Sequence, residues 1–175
     1  FEILANPETH HNAEIRCELI KALSSAIGFR GMVGGQMIDI ENIDKKISQE
    51  QIINLHRLKT GELFMASAEC GAILGGANKD ERNALRYFAH DLGLAFQIKD
   101  DILDHAGTEI GKIEIDEMTH KKPKENASIV DIIGIESAKQ RLNILSEQAK
   151  DHLKIFGKKA EILKDLVEFL INRSS

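Results

Sequence analysis

The chain has no tryptophan, one tyrosine, two prolines and two cysteines among 175 residues. So few prolines permit long unbroken helices, and so few aromatics leave the core to aliphatic side chains. Together with long periodic segments, this predicts an all-α protein. Cys17 and Cys70 are isolated, with no C-x-x-C spacing, and read as reduced, buried small hydrophobes, which fits a cytoplasmic protein. No apolar run approaches the roughly 18 residues of a membrane span, and no signal-peptide pattern is present. Positive charge is also short: 23 Lys and Arg against 28 Asp and Glu leave a net charge of −5. That balance argues against nucleic acid or an anionic membrane surface as partner. A length of 175 residues with 42% hydrophobic side chains suits one domain over 1–175 with a real core. The chain opens on Phe1 rather than methionine, and Glu2-Ile3-Leu4-Ala5 reads like the middle of an element, so a fragment or a processed product is expected.

What is present is helical periodicity. A helix is expected over 8–26, stopped by Gly28, and a short apolar one over 31–40. Glycine inside a helix costs about 1 kcal/mol against alanine, so the paired Gly34 and Gly35 imply close approach of another helix or of a ligand. After a charged connector at 41–47, Ser48 and Gln51 form a capping box that starts a helix running to Gly75-Gly76. Asn78 and Glu81 cap the next helix, expected over 80–105 and ended by Gly107. Residues 106–126, with Gly107, Gly111, Pro123 and four lysines, read as a loop or partly ordered lid. A short helix is expected over 126–134, then two amphipathic helices over 136–156 and 158–172.

The helix over 80–105 carries the most chemistry. At 100° per residue, Leu92, Ala95, Phe96, Lys99 and Leu103 share one side. Gly93, Gln97, Asp100 and Asp104 form a polar stripe beside it, with Asp101 at its margin. Carboxylates at i and i+4 lie about 6 Å apart and repel by roughly 3 kcal/mol at an effective dielectric of 20, far less in open water. The cluster is therefore either a solvated face or a cleft wall neutralised by a cation, and its apolar flanks favour the wall. Asp100-Asp101-x-x-Asp104 suits Mg²⁺, which keeps most of its waters and takes one or two carboxylates plus substrate phosphates. Gln97, one turn back, is a neutral dipole able to face a developing positive charge.

Inside the preceding helix, Lys59-Thr60-Gly61 is locally unfavourable, since threonine and glycine are poor helix formers. A kink there would present the Lys59 ammonium and a freed carbonyl. Lys112 follows the carboxylate helix closely enough to reach back over a phosphate. His90-Asp91 matches the doublet of metal-dependent phosphohydrolases, a reading that needs another suitably placed His and Asp. Ser-His-Asp, Walker A, H-E-x-x-H and G-x-G-x-x-G patterns are all missing.

Four motifs stand in order: G-M-V-G-G-Q-x-x-D from Gly31 to Asp39, H-x-x-K-T-G from His56 to Gly61, G-L-A-F-Q-I-K-D-D-I-L-D from Gly93 to Asp104, and Gly111-Lys112. The chain resembles, nearly end to end, the C-terminal half of bacterial short-chain trans-prenyl diphosphate synthases of the farnesyl diphosphate type. The resemblance implies the helical isoprenoid-synthase bundle around a cavity, a homodimer, and Mg²⁺ bound by Asp100, Asp101 and Asp104, with Asp100 the most direct ligand. By the same resemblance, Lys59 and Lys112 would contact the diphosphate of an allylic substrate. Thr60 and Gln97 would face the allylic cation, Gln36 would lie near the cavity wall, and Asp39 would be structural. The implied reaction joins dimethylallyl or geranyl diphosphate to isopentenyl diphosphate, by ionisation, attack of the double bond and proton loss to pyrophosphate.

The sequence departs from that pattern in three ways. It contains no first aspartate-rich motif with its following arginines, and no Gly-Lys-x-x-Arg site for isopentenyl diphosphate. Ile115 stands where a glycine is usual, with Asp116 or Glu117 able to compensate. The usual Lys-Ser-Thr-Tyr-Pro run is Lys124-Glu125-Asn126-Ala127-Ser128. The expectation is a C-terminal portion that is inactive alone, the alternative being a non-catalytic subunit that modulates a complete partner.

Overall fold

A computed structural model describes residues 1–43, 45–111 and 128–173, with the backbone alone over 107–111. Among the described residues every regular element is helical, as the composition predicts. The α-helices are α1 (Glu2–Ala5), α2 (Ala13–Ile27), α3 (Met32–Glu41), α4 (Gln49–His56), α5 (Glu62–Leu74), α6 (Lys79–Gly111), α7 (Ile129–Ile133), α8 (Ile135–His152) and α9 (Glu161–Asn172). A π-helical turn, Arg57–Gly61, joins α4 to α5, and a 3₁₀ stretch, Leu153–Ala160, joins α8 to α9.

Local side-chain chemistry sets most of the boundaries. The Ser48 hydroxyl accepts from Gln51 N at 3.2 Å and the Gln51 amide oxygen accepts from Ser48 N at 2.7 Å, the expected capping box. Asn78 Oδ1 accepts from Glu81 N at 3.0 Å while Glu81 Oε2 accepts from Asn78 N at 2.8 Å. The first long helix begins at Ala13, not Glu8, because Asn12 Oδ1 accepts from Glu14 N and caps it there. The carboxylate helix runs past Gly107 to Gly111, so residues 106–111 are helix and not loop. A glycine costs only about 1 kcal/mol in a helix and does not stop a long one. The rest of the expected lid, including Lys112, Ile115, Asp116, Glu117 and Lys124, lies outside the described residues.

Helix α6 is the hub, packed against α5, α8 and α9. One apolar cluster gathers Leu94, Ala95 and Ile98 with Ile52, Ile129, Val130 and Leu142, and another gathers Phe88, Ala89 and Leu92 with Leu153, Val167 and Leu170. The expected single apolar side of α6 therefore falls short. Leu94 and Ile98 are buried too, whereas Lys99 and Leu103 lie at the edge of the core. A helix with neighbours on several sides keeps only a narrow solvent face, so periodicity underestimates its buried circumference.

The cysteines also differ from expectation: Cys17 is exposed and Cys70 half-buried. Cys17 lies about 180° around α2 from the buried Ala26, hence on the outer side. No described helix is long and apolar enough to cross a membrane.

Candidate active site

The irregular turn foreseen at Lys59-Thr60-Gly61 is a π-helical turn of five residues. Such turns widen the helix by one residue and leave backbone groups imperfectly paired, and they recur at functional sites. Here the turn is wedged between two neighbours. A Cβ built on Gly35 of α3 would stand 2.4 Å from Lys59 N, so α3 rests directly on the turn's backbone. A Cβ on Gly93 of α6 would stand 3.1 Å from Gly61 Cα, so α6 touches its other side. Gly35 thus answers to a neighbouring helix, while a Cβ on Gly34 would meet only the Phe29 carbonyl of the preceding turn.

This packing pairs side chains of the turn with side chains of α3 and of α6. Lys59 Nζ donates to Asp39 Oδ2 at 2.5 Å. Thr60 Oγ1 donates to Gln97 Oε1 at 3.0 Å, and Gln97 Nε2 donates to Asp101 Oδ1 at 3.3 Å. The other oxygen of Asp101 accepts from Ile129 N at 2.7 Å, tying α6 to the start of α7. Threonine, glutamine and aspartate form a continuous chain across the bundle, each member fixing the rotamer and amide orientation of the next.

The acidic triplet separates into two environments. Asp101 is 7% exposed, with both oxygens engaged. Burial pushes its carboxyl up to about 6, against the pull of the Ile129, Gln97 and Ser128 hydrogen bonds. His56 lies 3.9 Å from Asp101 Oδ2, and burial holds its imidazole down at about 4, so it is neutral near pH 7. Asp100 and the exposed Asp104 lie one turn apart on the open side. The Asp100 carboxyl is raised by partial burial and, to a lesser degree, by the Asp104 charge. It is ion-paired with Arg173, from the extended residue just past α9, whose guanidinium lies 4.3 Å over the Phe96 ring. Nothing in the sequence pattern pointed to Arg173. It comes to Asp100 only because α9 runs alongside α6.

Gln36 is exposed, next to Gly35 and about 60° around α3 from Asp39, at the edge of the face that meets the turn. An apolar groove of about 640 Å³ runs between α5, α6 and α9, lined by Phe64, Ala68, Phe88, Leu92, Leu163 and Leu166 among others. It begins about one helical turn along the chain from Thr60, so a polar mouth bearing an ammonium and carboxylates has an apolar trough as its neighbour.

No cluster of three or more His, Cys, Asp or Glu among the described residues forms a closed metal cage. The donor chemistry at the mouth still fits Mg²⁺, which uses one or two carboxylates and completes its shell with water and phosphate. Asp100 and Asp104 would be that pair. The His90-Asp91 doublet acquires a partner in His152, but the three are simply hydrogen-bonded, His90 Nδ1 to Asp91 Oδ1 at 2.9 Å and His152 Nε2 to Asp91 Oδ2 at 3.1 Å.

Comparison with known proteins agrees with this geometry. The family described as Polyprenyl synthetase matches residues 2–166. The chain is 35% identical to the farnesyl diphosphate synthase of Micrococcus luteus, over 99% of this chain and 58% of that protein. It is 33% identical to the geranylgeranyl diphosphate synthase of Cyanophora paradoxa, over 100% and 58%. Among solved structures, an FPP/GFPP synthase from Zymomonas mobilis superposes with a TM-score of 0.83 at 37% identity, over 97% of this chain and 55% of that one. A geranyltransferase from Helicobacter pylori, complexed with magnesium and isoprenyl diphosphate, gives 0.73 at 29% identity over 98% and 55%. The chain spans a little over half the length of these relatives. With the family match covering most of its residues, and with relatives and folds alike in agreement, the chain belongs to the polyprenyl synthetase family.

Proposed function

We propose that this chain forms one wall of the active site of a Mg²⁺-dependent prenyltransferase, which condenses dimethylallyl or geranyl diphosphate with isopentenyl diphosphate to give farnesyl diphosphate. The observation that carries this reading is the polar cluster of Lys59 and the Thr60–Gln97–Asp101 chain, with an apolar groove that begins about one helical turn along the chain from Thr60. An allylic diphosphate has the matching halves, a highly charged head and a hydrocarbon tail.

In this reading Asp100 and Asp104 hold Mg²⁺, which supplies charge neutralisation for the departing diphosphate. Asp101, buried and doubly hydrogen-bonded, acts one step back by holding the Gln97 amide in place. Lys59 contacts the diphosphate as a point charge, and Lys112 is proposed to do the same. The Thr60 hydroxyl donates to Gln97 Oε1, so its own oxygen lone pairs face outward together with the amide oxygen. Two such dipoles, fixed in a water-poor site, stabilise a developing allylic cation better than mobile water does. The groove walls take the tail, and the likeness to farnesyl and geranylgeranyl synthases alike supports a prenyl chain of that size. Gln36 is assigned to the rim of the mouth. By the same likeness the protein would act as a cytoplasmic homodimer.

A wall without its opposite is expected to bind but not to catalyse. The 175-residue chain alone should bind inorganic pyrophosphate in the presence of Mg²⁺, and Lys59→Met or Asp100→Ala should weaken that binding about tenfold or more. It should give no product from geranyl and isopentenyl diphosphates. Pyrophosphate binding indifferent to both substitutions would overturn the site, and condensation by this chain alone would overturn the division into two walls. If the alternative role as a non-catalytic subunit holds, both substitutions leave unchanged the activity of any complete synthase that the chain modulates.

A further inference from the structure

Asp39 is 7% exposed, and a carboxylate so deeply placed requires a partner of opposite charge or strong donors. Its Oδ2 receives the Lys59 ammonium at 2.5 Å across a separation of 20 residues. One helical turn before it on the same face of α3 stands Gly35, the residue whose missing Cβ lets α3 press on the Lys59 backbone. A single face of α3 therefore grips one residue of the π-helical turn twice, at its main chain through Gly35 and at the end of its side chain through Asp39.

We infer that Asp39 is the positioning residue of Lys59: a buried carboxylate on α3 that holds the ammonium extended from the π-helical turn, oriented for an anionic ligand. The inference deepens the proposed function and rests on it. A lysine side chain has four rotatable bonds, whose rotamer freedom an unanchored ammonium would lose each time it engaged a ligand. An ammonium carries three donors, and Asp39 occupies one. The Lys59 side chain remains about one-third exposed. Asp39 thereby fixes direction without enclosing the charge. Glutamate at this position would reach too far, and asparagine would keep the acceptor oxygen while removing its charge.

A double-mutant cycle tests this, with binding of inorganic pyrophosphate in Mg²⁺ measured by calorimetry on the full chain. Asp39→Ala is expected to weaken binding about tenfold in the Lys59 background and to have no further effect in Lys59→Met. Asp39→Asn, which still accepts from Nζ, is expected to lose only about threefold. Equal loss from Asp39→Ala in both backgrounds, or a loss from Asp39→Asn as large as that from Asp39→Ala, overturns the inference. If Asp39→Ala does not fold, as thermal melting would show, the cycle is run with Asp39→Asn and the same additivity criterion applies. Binding that ignores Lys59→Met overturns the reading of the site itself, whereas binding that responds to Lys59→Met yet shows additivity overturns this inference alone.

Discussion

Helix α6 carries acidic residues at two levels, and they are built on different plans. At the lower level Asp91 sits between two half-exposed imidazoles, one from its own helix and one from the end of α8, with Tyr87 against His152. Its own helix is regular there, and the 3₁₀ stretch begins only after His152. About three turns higher, Asp101 is buried, its carboxyl is pushed up to about 6, and it adjoins a histidine held down at about 4. A π-helical turn faces it, seated by a Gly35 contact that no side chain would fit and by a close approach of Gly93. The lower cluster satisfies itself with ordinary geometry. The upper one accumulates costs that stability alone does not explain: an irregular turn, buried ionisable groups and a lysine drawn onto a buried aspartate. Such concentrations of unfavourable terms mark functional regions, because only selection for something else maintains them.

The sharpest break of this contrast is Gly35→Val. Its Cβ would collide with backbone at Lys59, which has no flexible end to yield, so a stability loss of about 3 kcal/mol or more is expected. Chemical denaturation measures it, and a near-neutral result would show that α3 does not bear on the π-helical turn as described.

The middle-sized effect is a pH dependence, in which Asp101 and His56 act with opposite signs. The Asp101 carboxyl is raised, so the folded state holds a proton that the unfolded state has released. Its contribution to stability falls as pH rises from about 4 to about 6. The His56 imidazole is lowered, so the unfolded state takes up a proton that the folded state refuses, and stability rises from about pH 4 to about 6.5. In the natural chain the two slopes largely cancel. His56→Gln should leave a stability that falls with pH across this window by about 2 to 3 kcal/mol, and Asp101→Asn one that rises by a similar amount. Identical slopes in the two variants would refute the assignment.

The smallest effect is expected at the lower level. Asp91→Ala removes two half-exposed imidazole contacts and should cost about 1 kcal/mol, with pyrophosphate binding unchanged. A loss of binding there would erase the distinction between the two levels.

Much of the upper level was legible in the sequence because its signals are local. The poor helix-forming sequence Lys59-Thr60-Gly61 foretold an irregular turn, and paired glycines foretold a close approach. Ser48 and Asn78 fixed two helix starts through hydrogen bonds spanning three residues. The order of motifs led to the family. Less legible was the division of labour within the acidic triplet. Periodicity placed Asp101 at the margin of a polar stripe, yet it is the most buried of the three, because α7 covers that side of α6 and donates its first amide to the carboxylate. The same limit made Cys17 appear buried.

The sequence by itself determined that this chain is helical and where the helices after Ser48 and Asn78 begin, and it marked Lys59, Thr60, Gln97 and the three aspartates as candidates for chemistry. These follow from spacing of 3 to 4 residues, from capping and from residue chemistry, all of which act within a turn or two of chain. Only the tertiary structure decided which carboxylate is enclosed and which face the opening, that Asp39 grips Lys59, and that Arg173 meets Asp100. Those depend on contacts between residues 20 to 73 positions apart, where direction is set by how helices pack and not by the period of any one of them.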